Sequence, residues 1–80
     1  MKSKLLIDVA GWVGSIEVIA AYALNSYQFL SSDSILFQLL NLTGGVLLII
    51  NTIYHRAYPS AFINVIWVII ASIAIGRILL

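Results

Sequence analysis

Three apolar runs, at residues 5–27, 35–54 and 59–79, take up nearly all of an 80-residue chain. Each reaches the ~20 residues that an α-helix needs to cross a hydrocarbon core. In lipid no water satisfies a stray backbone N–H or C=O, so runs of this length are helices and not open strands. The interruptions are short. The first, "SSDS" at 31–34, offers Ser32, Asp33 or Ser34 as an N-cap for the second helix. The second, "HRAYPS" at 55–60, is a tight hairpin whose Pro59 fits the first turn of helix three, where a missing N–H costs nothing. The expected fold is therefore all-α: one domain over residues 1–80, a three-helix integral membrane bundle that assembles as a symmetric homo-oligomer.

Composition agrees with lipid as the solvent. The chain is 62% hydrophobic and 9% charged, with a mean hydropathy of +1.11, which takes it out of the soluble class. A net charge of +1 from scattered basic residues gives no electrostatic footprint for nucleic acid. There is no cysteine and only one histidine, so neither a disulfide framework nor a metal site is expected. No hydrolytic triad or phosphate loop is present. Neither an enzyme nor a cofactor is expected.

The start "MKSK" and the "AYA" at 21–23 imitate a secretory leader, but Asp8 and Glu17 interrupt what would be its apolar region. Lys2, Lys4, His55 and Arg56 fall on one side of the membrane, and Asp33 and Arg77 on the other. By the positive-inside rule the amino terminus is expected on the cytoplasmic side. Trp12 and Tyr58 then lie toward the cytoplasmic interface.

At ~100° per residue, helix two gathers Gln38, Asn41, Gly44, Gly45, Leu48, Asn51, Thr52 and His55 on one arc. The other side is aliphatic, with Thr43 its polar exception. Helix three repeats the pattern with Ser60, Ala61, Asn64, Trp67, Ala71 and Ala74. Helix one does so less sharply with Ala10, Gly14, Glu17, Ala21, Asn25 and Gln28. Small residues let helices approach, and amides hydrogen-bond between them. Gly14, Gly44 and Gly45 are thus packing or hinge positions. Asn41, Asn51 and Asn64, on faces expected to converge, line a polar cavity with Trp67 as part of its wall. His55 has a snorkelling explanation at the helix end, and a gate or proton-relay role as the alternative.

Glu17 is the residue that most asks for a role. An ionised carboxylate near the membrane centre costs at least a few kcal/mol, and such residues mark ion, proton or substrate pathways. The structural alternative is a neutral or amide-paired carboxyl that fixes helix register.

The run "LNLTGGVLLIINTIYHRAYPSAFINVIW" at 40–67 resembles helices two and three of the SemiSWEET proteins, half-size bacterial members of the MtN3/saliva and PQ-loop superfamily. Gly44, Pro59 and Asn64 match that family's glycine, proline and asparagine without a gap. The chain is also similar to short three-span bacterial membrane proteins of uncharacterised function, which carry an "AYALNS" type of sequence. The resemblance implies a bundle with helix three between helices one and two, paired as a parallel homodimer around a central path. It further implies that Asn64 contacts solute. The family's helix-two tryptophan falls on Leu48, so a sugar-stacking platform is missing. Its Pro-Gln hinge falls near Leu24 and Asn25, with no proline, which leaves Gly11 or Gly14 as hinge.

The expected function is a SemiSWEET-like transporter of a small polar or cationic solute or a proton. Two copies place their polar faces at the midplane, with Glu17 as coupling or binding carboxylate. "IEVIA" is faintly similar to the first helix of proton-coupled small-multidrug exporters, but a fourth helix is missing. The alternative is an accessory or regulatory membrane protein that packs against a larger partner.

Overall fold

The computed structural model describes residues 2–80. They form three helices, α1 (Lys2–Ser26), α2 (Ile35–Tyr54) and α3 (Tyr58–Leu79). All three are long and apolar enough to cross a membrane. Their boundaries fall within one residue of the expected ones, except that α1 begins three residues earlier.

Backbone chemistry explains where the helices stop. After α1, Gln28 adopts a left-handed conformation (φ 65°). Its N–H donates to Asn25 O at 3.0 Å, and the N–H of Phe29 to Leu24 O at 2.9 Å. Arg56 does the same after α2 (φ 57°), with Arg56 N–H on Ile53 O at 3.0 Å and Ala57 N–H on Thr52 O at 2.8 Å. Both are Schellman closures that occupy the last carbonyls of a helix, here built without glycine. Of the three candidate caps for α2, Ser34 is the one used: its Oγ accepts from Phe37 N–H at 3.0 Å. Pro59 sits in the first turn of α3, as expected.

α2 is the central helix. α1 and α3 each pack against it, and not against each other. This corrects the order implied by the SemiSWEET resemblance, which puts the third helix between the other two. The cause lies in two adjacent glycines that face different neighbours. A Cβ on Gly14 of α1 would come within 2.7 Å of the carbonyl oxygen of Gly44, whereas one on Gly45 would meet Val68 Cγ2 of α3 at 2.8 Å. One helix therefore receives both partners.

The buried set consists of Gly11, Gly14 and Ala21 in α1, Gln38, Gly44, Gly45 and Thr52 in α2, and Ala61, Asn64 and Ala71 in α3. No large side chain among the described residues is fully buried. Leu, Ile and Val cover the outside, where they contact lipid, while small and amide residues hold the seams. That is the packing of membrane helices, which gain nothing by hiding a leucine from other hydrocarbon.

Candidate functional site: a polar trough along the second helix

Because α1 and α3 do not touch, a trough is left between them, floored by the polar arc of α2. Toward the 27–34 loop it widens into a cavity of about 490 Å³, walled by Tyr22 and Ile19 of α1 and Trp67 and Ile70 of α3, with Gln38 and Asn41 on its floor. Toward the hairpin a second, separate cavity of about 370 Å³ lies between α1 and α2, bordered by Asp8, Trp12, Ser15, Leu48, Asn51 and His55.

The amides are anchored by their nitrogens. Asn41 Nδ2 donates to Phe37 O at 3.1 Å, Gln38 Nε2 to Ser32 O at 2.8 Å, and Asn51 Nδ2 to Ile7 O at 3.0 Å. A backbone carbonyl cannot donate, so these bonds fix which way each amide points. The Asn51 bond crosses from α2 to α1. It depends on Gly11, where a Cβ would lie 2.6 Å from Asn51 Cγ. At the same end, His55 Nε2 lies 2.9 Å from Asp8 Oδ1. With the two side chains 40% and 41% exposed, this pair contributes at most about 1 kcal/mol. The edge of the Tyr54 ring meets the His55 ring, with centroids 5.1 Å apart.

The residues expected to converge fall in three places. Asn41 lies on the floor of the cavity between α1 and α3, and Asn51 borders the second cavity, at the α1–α2 seam. Asn64 is buried at the α2–α3 seam, its backbone carbonyl near Gly45. Trp67 is half exposed and forms a wall of the cavity that holds Asn41. Glu17 does not join the asparagines. Five residues separate it from Tyr22, which turns it ~140° away around α1, and it lines neither cavity.

Glu17 instead meets Thr43, whose Oγ1 lies 2.6 Å from Glu17 Oε2. Thr43 was the polar exception on the aliphatic side of α2, and the periodicity alone gives it no role. A signal was present, though. In an antiparallel pair with Gly14 on Gly44, the residue three places after Gly14 lies level with those just before Gly44. Gly44 is also what admits the carboxylate, since a Cβ there would be 3.2 Å from Glu17 Cβ.

A family model matches residues 7–80 of the chain. No curated protein and no solved structure matches it.

Proposed function

We propose that this chain, which belongs to the uncharacterised family whose model spans residues 7–80, is a non-enzymatic transporter subunit that carries a small polar or cationic solute along the α2 trough. The observation that carries this reading is the trough itself. Its floor presents Gln38 and Asn41, and the second cavity on the same helix presents Asn51 and His55, along a helix otherwise sheathed in aliphatic side chains. Polar groups in the hydrocarbon region are costly unless they face protein or a water-filled cavity. One three-helix layer leaves the trough open on one side, and two copies related by a twofold axis close it. The SemiSWEET resemblance supports pairing of half-size units, although the helix order here is different.

In this reading the protein resides in a bacterial inner membrane with its amino terminus cytoplasmic. Lys2, Lys4, His55 and Arg56 then gather on the cytoplasmic side, the Asp8–His55 contact having brought the hairpin to the start of α1. His55 stands as the gate at that end. Glu17 acts from the α1–α2 seam and not inside the path.

The chain has no cysteine, which makes the test direct. Single cysteines placed at Ile19 and Ile70, on opposite walls of the trough, are oxidised in liposomes, and solute-driven flux is measured for the native chain, Asn41→Leu and Trp67→Ala. The reading expects self-crosslinks across the trough and at least a tenfold loss of flux in both variants. A chain that stays monomeric in lipid would refute it. A second reading draws on the aromatic upper cavity, whose Tyr22, Phe37 and Trp67 offer a wall for a helix of a larger membrane protein. In that accessory role the same cysteines crosslink to another chain and not to themselves.

A further inference from the structure

The Glu17–Thr43 contact contains one proton too few for an ionised carboxylate. Thr43 Oγ1 lies 2.6 Å from Glu17 Oε2 and 2.8 Å from Leu39 O. A hydroxyl has one proton, and neither an ionised carboxylate nor a backbone carbonyl supplies another. If Glu17 were charged, Thr43 would serve one acceptor and leave the other in close oxygen–oxygen contact without a hydrogen. Both distances are satisfied together when Glu17 carries the proton: its O–H donates to Thr43 Oγ1, and Thr43 O–H donates to Leu39 O.

Position argues the same way. Thr43 is eight residues into α2 and eleven from its end, so it sits about 12 Å and about 16 Å from the two ends of that helix. Glu17 lies level with it, on the side of the α1–α2 seam turned away from the trough. No lysine, arginine or histidine pairs with Glu17 among the described residues, the one ion pair being Asp8–His55. On α1 the nearest titratable groups are Asp8, nine residues below, and Tyr22, turned into the trough. On α2 the nearest is Tyr54, with His55 just past the helix end, about three turns below Thr43. α3 does not reach α1. With no countercharge beside it, Glu17 is held by the Thr43 contact, whose proton count assigns it the proton.

We infer that Glu17 is a proton-binding site at the bilayer midplane, completed by Thr43 and opening on the outer face of the α1–α2 pair, where a hydrophobic carbodiimide modifies it. The inference holds whether or not the trough conducts solute. The reagent adds to the acid with nothing leaving: the carboxyl proton passes to one nitrogen, and the carboxyl oxygen bonds the central carbon. Only the protonated acid supplies that proton.

The test uses the full chain in liposomes at neutral pH. With just three acidic side chains present, the infrared carbonyl stretch of a protonated carboxylic acid is assignable. It should appear in the native protein, vanish in Glu17→Gln, persist in Asp8→Asn and Asp33→Asn, shift in Thr43→Val and stay in place in Thr43→Ser. Dicyclohexylcarbodiimide should yield one adduct, mapped to Glu17 by mass spectrometry and missing from Glu17→Gln. A native protein without the acid band overturns the proton site. A band unmoved in Thr43→Val overturns the part given to Thr43. An acid band with no adduct overturns the outward opening. Because the infrared readout is taken on the native chain, a variant that fails to fold leaves it decisive.

Discussion

Adding one methyl at Gly14 tests the account of the α1–α2 seam. A Cβ there would lie 2.7 Å from Gly44 O, 3.0 Å from Leu47 Cβ and 3.2 Å from Leu48 Cγ. The first obstacle is a backbone atom, so no rotamer change relieves it. Ordinary contact begins near 3.4 Å, and the helices must part by about 0.7 Å, a gap that forfeits a quarter to a half of each neighbouring dispersion contact. Overpacking of this kind costs about 1–3 kcal/mol. Alanine's better helix propensity returns about 0.5–1 kcal/mol, so Gly14→Ala should lose up to about 2.5 kcal/mol. Gly76 is the control, since a Cβ there meets nothing within 4 Å. Gly76→Ala should therefore be neutral or gain up to about 1 kcal/mol from propensity alone. The assay is reversible unfolding in mixed micelles, read by the fluorescence of Trp12 and circular dichroism. If Gly14→Ala proves as stable as Gly76→Ala, the backbone contact at Gly44 does not hold the seam and the reasoning fails. The same displacement should stretch the Glu17–Thr43 bond, so the acid band should shift in Gly14→Ala and not in Gly76→Ala.

Three further outcomes follow from other contacts. Gln28→Gly and Arg56→Gly relieve left-handed strain in residues with a Cβ, and each should stabilise the protein by about 1 kcal/mol in the same micelle assay. Asn51→Ala removes the amide bond to Ile7 O and should cost about 0.6 kcal/mol, the average for interhelical side-chain bonds in membranes; a loss above 3 kcal/mol would show that Asn51 supports more than this one bond. A double-mutant cycle on Asp8→Asn and His55→Gln should give a coupling below about 1 kcal/mol, since both groups are well exposed. A larger coupling would mean that the pair is shielded in an assembly.

The number, length and ends of the helices were legible because lipid leaves so few choices. A run of about 20 apolar residues has to be a helix, and Ser34 and Pro59 punctuate the chain where their chemistry requires. The polar arc on α2 was legible for the same reason: Gln38 and Asn41 floor the cavity between α1 and α3, while Gly44, Gly45 and Asn51 take up the seams. Helix order was not, because Gly44 and Gly45 sit side by side in sequence and helical spacing does not say that they serve different partners. Nor was the partner of Glu17. Periodicity assigns a residue to a face, but Thr43 lies at the edge of one, where a hydroxyl that donates a hydrogen bond to Leu39 O is admissible on the lipid side. Asn41, Asn51 and Asn64 share a residue type rather than a place. Each amide is satisfied or packed locally, and spacing along separate helices does not fix their relative depth.

The absence of contact between α1 and α3 also bears on how the protein is made. Each helix depends only on its neighbour in the chain, so no interaction waits for a distant segment to be synthesised. The α1–α2 hairpin has its glycine seam, its Asn51 clasp and its Glu17–Thr43 bond before the ribosome has released α3. Assembly in the order of synthesis, with low contact order, avoids the loop-closure delay that slows folds joined end to end. A nascent chain halted after the 55–60 hairpin should already protect Gly14 and Gly44 from solvent, with α3 arriving as an addition to a finished pair.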